Sequence, residues 1–270
     1  MSRARALVDA CHPLPTLAVT SVVAMLSLAA GRDARGVALM ALATLVGQLS
    51  VGWCNDAYDA DRDLRAGRTE KPVVRGDVDA RTLWVAALTA LVAAVPLSFV
   101  AAGPVGGSAH VLAVLSAWAY DLRLKTTVLS WLPYAVSFGL VPAYVWFGLA
   151  PPTAPPAWTT AAAAALGVAA HLANALPDIE SDTAVGAGGL TARLGRVRAA
   201  RLSLLMLVLA VALLAPHLGL PGWAAIGLVV LVVAGAVLVG AGGRGLFRYV
   251  MAVAALAVVL LLVATRTSTG

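Results

Sequence analysis

Apolar runs of roughly 15 to 22 residues recur along the whole chain without alternation, and nothing else in the sequence restricts the fold as much. They are too long for core strands, and they lack the period of two that a membrane barrel requires. In lipid every backbone N–H and C=O must be satisfied within the chain, which leaves helices as the spanning structure. Composition agrees: 61% of residues are hydrophobic and 12% are charged, against about 25% charged in a soluble domain. The expected fold is all-α, a polytopic membrane bundle.

Nine spans fit, at roughly 14–30, 36–55, 82–101, 108–120, 127–149, 157–177, 200–215, 222–241 and 246–265. The first follows Arg3 and Arg5 and lacks a small-residue cleavage site, so it reads as a retained span and not a signal peptide. This division sorts the charges by side. Arg3, Arg5, the cations between Arg62 and Arg81, Arg123, Lys125, those between Arg193 and Arg201, Arg244 and Arg248 fall together. Of the 19 Lys and Arg, only Arg32, Arg35 and Arg266 fall opposite. The positive-inside rule puts the N-terminus in the cytoplasm and the C-terminus outside, in an integral protein of the cell membrane. The outer connections (Gly103 to Gly107, Pro151 to Pro156, Pro216 to Pro221) are short and uncharged, and read as turns. The inner loops after spans 2 and 6 are long and carry most of the acidic residues. Residues 1–270 read as a single domain. Cys11 and Cys54 have no metal-type spacing and lie near cytoplasmic helix ends, so packing is expected of them and not a disulfide.

One pattern occurs twice in those inner regions. Asn55, Asp59 and Asp63 read N-x-x-x-D-x-x-x-D, as do Asn174, Asp178 and Asp182, each 119 residues after its counterpart. Residues four apart lie on one helical face, drifting about 40° per step. Two such stripes facing each other would line a cavity with oxygen ligands. With no His or Cys beside them, the donor set points to Mg2+. Both motifs follow even-numbered spans, which suggests two parallel halves at roughly 14–125 and 127–241, with the last helix at 246–265 outside the repeat. Off the stripes, Asp56 could reach a metal through water or cap a helix. Asp61 would be solvated or paired with Arg62 or Arg65, and Glu180 is peripheral. Arg68, Lys71 and Arg75 follow the first motif; Arg193 and Arg196 follow the second; Arg123 and Lys125 sit on the inner loop between. Topology alone accounts for Arg75, Arg196 and Arg198, whereas Lys71 is read as functional. Mg2+ on a few carboxylates completes its shell with substrate phosphate. Metal and phosphate at the mouth of a lipid-embedded cavity imply a diphosphate-headed lipid, with the bilayer as surroundings and no nucleic acid as partner.

The stretches NDAYDADRD, RTEKPVVRG, Tyr120 to Lys125, LPDIESDTAVG and TARLG together resemble the UbiA superfamily of intramembrane prenyltransferases, over essentially the whole chain. The resemblance implies two Mg2+ ions bridging an isoprenyl diphosphate. Their ligands would be Asn55, Asp59, Asp63, Asn174, Asp178 and Asp182. It makes Asp59, Asp63, Asp178, Asp182 and Lys71 catalytic, and sets Arg68, Lys71, Tyr120, Arg123, Lys125 and Arg193 on the substrate. The family's Tyr-x-x-x-Lys falls between Arg123 and Lys125, so either could serve. His12-Pro13 stands where many members have Arg or Lys before Pro. Gly188-Gly189-Leu190 stands where many have a basic residue and Thr.

The implied chemistry is ionisation of the C–O bond to an allylic cation within the apolar bundle. Trp53, Tyr58, Trp118, Trp131, Tyr134, Tyr144 and Trp146 either steady that cation or pack. An aromatic ring, a quinone precursor or another lipophilic acceptor would capture it; alternatively the chain closes on itself, as in UbiA-type terpene cyclases. A transporter is the remaining reading, and the crowding of charge at one mouth speaks against it, since His110 and His171 have no sequence-adjacent partners.

Overall fold

A computed structural model describes residues 2–177, 179, 189–239 and 243–269, all of them helical or in turns, with no strand among the described residues. The first four helices begin where the sequence supplies a start signal. Helix α1 (Arg3–Ala10) is capped by Ser2, whose hydroxyl accepts the Arg5 N–H. Helix α2 (Pro13–Ala29) opens on Pro13, whose fixed φ suits a first turn. Asp33 caps α3 (Ala34–Arg65) and Asp79 caps α4 (Ala80–Leu122), each accepting a backbone N–H three residues on. Then come α5 (Leu132–Trp146), α6 (Ala157–Ala175), α7 (Leu190–Leu214), α8 (Gly222–Val239) and α9 (Gly243–Thr269). Among these, α3, α4 and α7 with its following turn are long and apolar enough to cross a membrane. The pair α1 and α2, bent by 62°, would make a fourth if counted as one span.

All nine expected spans fall on helices, but two share one. Spans 3 and 4 are the two arms of α4, separated only at Gly103, where φ is 66°. That left-handed conformation is the reason glycine stands there. The second arm resumes at Pro104, earlier than the expected 108, because Gly106 and Gly107 are helical and not part of a turn. A side chain at Gly107 would come within 2.8 Å of the Phe99 Cα, so the two arms touch through backbone. Helix α1 was not expected from the sequence, and α3 runs on to Arg65, past the expected end at 55. The whole first motif is therefore helical.

The helices pack as a ring in chain order, α2 on α3, then α4, α5, α6 and α7, with α9 touching both α7 and α2. The buried residues that join them include many small ones, among them Ala43, Ala101, Ala165, Ala169 and Ala210. Small side chains let helix backbones approach closely where no hydrophobic effect drives association. A separate cluster of Ala6, Ala10, Ala57, Val78 and Leu83 seats α1 across the C-terminal half of α3. Trp53 Nε1 donates to the Leu7 carbonyl at 2.8 Å and pins α1 there.

The α1–α2 joint rests directly on α3 at Gly52. A Cβ at Gly52 would lie 2.5 Å from the Cys11 carbonyl oxygen, and that neighbour is backbone, so it cannot turn aside. Gly52→Ala should push the joint off α3 and cost about 1–3 kcal/mol, the usual range for overpacking. Thermal melting of the detergent-solubilised protein measures it; an unchanged midpoint would contradict the close contact.

Candidate active site

At the C-terminal end of α3 the first stripe forms as its spacing requires. Asp59 and Asp63 are buried, at 4% and 1% exposure. Carboxylates this enclosed are costly unless paired and hydrogen-bonded. Asp59 accepts from Lys125 Nζ at 2.5 Å on one oxygen and from Arg62 Nη2 at 2.7 Å on the other. Asp63 accepts from Arg68 Nη1 at 3.3 Å. Asn55 donates its amide to Asp121 Oδ1 at 2.9 Å, which leaves its carbonyl oxygen for other use. Lys125 also stands 5.1 Å from the centre of the Tyr58 ring.

Asp56 is the residue the sequence placed least well. It lies off the stripe and is fully buried, facing the α1–α2 joint. His12 Nε2 is 2.8 Å from Asp56 Oδ1, Lys71 Nζ bonds the same oxygen, and Lys71 and His12 stand 3.2 Å apart. His12 holds a φ of 53°, the one positive value among the described non-glycine residues. Such strain persists only where the surroundings hold it, here the Gly52 seat and the bond to Asp56. Asp56 thus neither caps a helix nor stands free; it gathers two cations at the joint.

The second motif is described in part. Asn174 lies exposed in the last turn of α6, against the Tyr134 hydroxyl, while Asp178 and Asp182 lie outside the described residues. One turn earlier His171 is buried, with Nε2 3.0 Å from Ser130 Oγ and its ring 5.7 Å from Tyr120 and 4.9 Å from Tyr134. The Ser130 hydroxyl also accepts the Leu190 N–H at 3.1 Å. The α4–α5 loop therefore touches both sides of the site: Lys125 reaches the first stripe, and Ser130 holds the starts of α7 and the end of α6. Ser130 was not picked out from the sequence, and His171 was read there as lacking a partner, because the two meet across 41 residues of chain.

Arg123 and Lys125 stand in different surroundings. Lys125 meets Asp59, whereas Arg123 is exposed and has no partner among the described residues. Arg193 is likewise exposed, in the first turn of α7. The structure brings together Asn55, Asp59, Asp63, Arg68 and Lys125, with Lys71 one face away on Asp56 and Tyr120 beside Tyr134. It does not bring Arg123 or Arg193 onto the stripe.

Among the described residues no three His, Cys, Asp or Glu side chains converge on one point. The first stripe is one open wall. It still fits a hard divalent ion. Asp63 Oδ2, Asp56 Oδ2 and Asp121 Oδ2 are buried without a hydrogen-bond partner among the described residues. Buried anionic oxygens lacking donors are what an oxygen-seeking cation satisfies.

The model of the UbiA prenyltransferase family matches residues 16–249, which takes in both motifs and the loop between them. The chain belongs to the UbiA prenyltransferase family. No curated protein matches it. Among solved structures it is similar to a UbiA homolog from Archaeoglobus fulgidus bound to DMAPP and Mg2+, with a TM-score of 0.70 at 17% identity, over 96% of this chain and 98% of that one. It is similar also to a digeranylgeranylglyceryl phosphate synthase in membranes, with a TM-score of 0.73 at 12% identity over 98% and 99%. A third is the apo UbiA homolog from Aeropyrum pernix K1, at 0.65 and 20% identity over 97% and 98%. At such identities the likeness carries the fold. This is a membrane protein with the UbiA fold, all-helical over the described residues.

Proposed function

We propose that this protein is a Mg2+-dependent prenyltransferase that moves a prenyl group from an isoprenyl diphosphate to an aromatic or other lipophilic acceptor within the membrane. The observation that carries this reading is the stripe itself: two buried carboxylates one turn apart, each paired with a cation, with an oxygen of Asp63 unpartnered among the described residues. Asn55, Asp59 and Asp63, with Asn174, Asp178 and Asp182 opposite, would hold two ions. Bound there, Mg2+ supplies positive charge that stabilises the diphosphate as leaving group. Arg68, Lys71 and Lys125 are already held at this mouth by carboxylates and would turn to the diphosphate oxygens. Tyr120 and Tyr134, meeting edge to face at 5.2 Å, put two aromatic rings beside Asn174. They would face the allylic carbon as the C–O bond breaks. The packed apolar ring keeps water from that carbon. Nine crossings in a single 1–270 domain, two parallel halves, a cytoplasmic mouth and an outer C-terminus accompany this reading.

The test uses purified protein with geranyl diphosphate. Diphosphate release should require Mg2+, stop on chelation and resume when Mg2+ is restored. It should also require an added acceptor such as a hydroxybenzoate or a glyceryl phosphate ether, with prenylated product in the mass spectrum. Cyclic hydrocarbon or alcohol formed without acceptor would replace transfer by terpene cyclisation. Turnover that survives chelation would reject the metal-dependent reading.

A further inference from the structure

One buried carboxylate beside the first stripe has no role in the chemistry above. Asp121 stands in the last turn of α4 and is 3% exposed. Its position is costly in three respects. It is a charge held away from water. It lies at the C-terminal end of a helix, where the dipole disfavours an anion. It also has no ion pair among the described residues, because Lys125, four residues on, is taken up by Asp59. The donor it does have is neutral: Asn55 Nδ2 lies 2.9 Å from Asp121 Oδ1, across 66 residues of chain. Asp121 Oδ2 is buried and has no partner among the described residues. Packing does not account for the charge, since an amide of the same shape at 121 would bond Asn55 at lower desolvation cost.

What a carboxylate does and an amide does not is accept only. The two ends of an Asn side chain have nearly the same shape, and only the oxygen can meet a cation. Against Asp121, only Nδ2 of Asn55 can turn to α4. The Asn55 carbonyl oxygen is then the end left over, and it has no partner among the described residues. Asn55 shares its face of α3 with Asp59 and Asp63. The orientation that Asp121 imposes therefore gives the stripe an oxygen, not an N–H, at its head. The bond is charge-assisted, which makes it stronger than one between neutral groups. It also polarises the amide, so the carbonyl oxygen becomes a better donor of electrons to a metal.

We infer that Asp121 is a positioning residue for the metal site, acting through Asn55: it fixes the amide so that the carbonyl oxygen, and not the N–H, is offered to the divalent cation. The inference rests on the metal-dependent prenyl-transfer reading and adds α4 to the wall that α3 supplies. A carboxylate hydrogen-bonded to a metal ligand commonly orients it in this way, and losing such a partner costs about 10- to 100-fold in metal affinity.

The test measures Mn2+ binding through the paramagnetic resonance signal of the free ion. The protein is held in phosphatidylcholine nanodiscs, without and with geranyl thiolodiphosphate, a diphosphate that does not ionise. Asp121→Asn should bind Mn2+ at least about tenfold more weakly than wild type. It should also melt no lower, because a buried charge has been removed and the shape kept. A merely structural Asp121 would lower the melting midpoint instead. Asn55→Ala should weaken Mn2+ binding as well. Adding Asp121→Asn to Asn55→Ala should cost no more than about twofold further, since Asp121 acts only through Asn55. The exchange Asn55→Asp, Asp121→Asn keeps the net charge and reverses the bond, with the amide at 121 donating to the carboxylate at 55. It should recover Mn2+ affinity to within about threefold of wild type, or exceed it. The inference is overturned by a smaller loss or a lower melting midpoint in Asp121→Asn, or by an exchange variant that stays weak. A further loss in the Asn55→Ala background would make Asp121 a ligand in its own right and overturn it too. Wild type that binds no Mn2+ under either condition is a separate result, and it would strike the metal-dependent reading instead.

Discussion

Asp63→Asn should lower Mg2+-dependent diphosphate release by at least about 100-fold, the scale on which a pre-organised electrostatic group acts in a transition state. Asn keeps the shape of the side chain, so packing at this 1% exposed position is preserved. What goes is the negative charge. The variant should melt within a few degrees of wild type, and higher Mg2+ should recover part of the rate. There is a competing role for Asp63: neutralising Arg68, which it meets at 3.3 Å. The two roles separate in the dependence on Mg2+. If Asp63 serves only Arg68, the Mg2+ concentration for half-maximal release is unchanged in the variant. If Asp63 holds the cation, that concentration rises severalfold. Single-variant turnover within tenfold of wild type would sink the metal assignment.

The stripe could be read from the sequence because helical period alone decides it. Residues 55, 59 and 63 share a face whatever packs against them, and two copies at one offset are hard to explain otherwise. Charge sorting groups the two motif-bearing loops on one side for a similar reason, since the bilayer imposes it on every loop. The other half of the site depends on neighbours. Asp56 lies one residue from the stripe, and its face is meaningful only once α1 and α2 are known to fold over α3. His12 stands 44 residues before Asp56, and Lys71 a further 15 after it. No local pattern joins three such positions. The α1 helix was missed because it is short, and its start signal is only Ser2. Lys125 departs from the expected Tyr-x-x-x-Lys spacing by one residue, and the 3-10 turn at Leu124–Thr126 absorbs that extra residue. Spacing rules assume continuous helix, and here the helix ends at Leu122. The 119-residue repeat is exact in sequence, while the two copies meet different surroundings: the first faces cations on three elements, and the described part of the second faces Tyr134 and, one turn away, His171.

Lys71→Met should cost about 3–5 kcal/mol of stability, the penalty for stranding one member of a buried ion pair. The Asp56 side chain is 1% exposed and that of Lys71 15%, so water cannot take over for the lost ammonium. One Asp56 oxygen already lacks a partner among the described residues, and the other would keep His12 alone. Removing the charge as well should relieve the penalty. Asp56→Asn with Lys71→Met should return to within about 1 kcal/mol of wild type, because a neutral amide can still accept from His12 at far lower desolvation cost. Titration with SDS of the purified protein reads both changes, and additive losses in the double variant would show that the pair is not coupled. Turnover then answers a second question. If Lys71 acts only by neutralising Asp56, the restored double variant regains diphosphate release along with stability. If Lys71 also turns to the substrate, as proposed, the double variant is stable and still slow, with the loss in KM for geranyl diphosphate as well as in kcat.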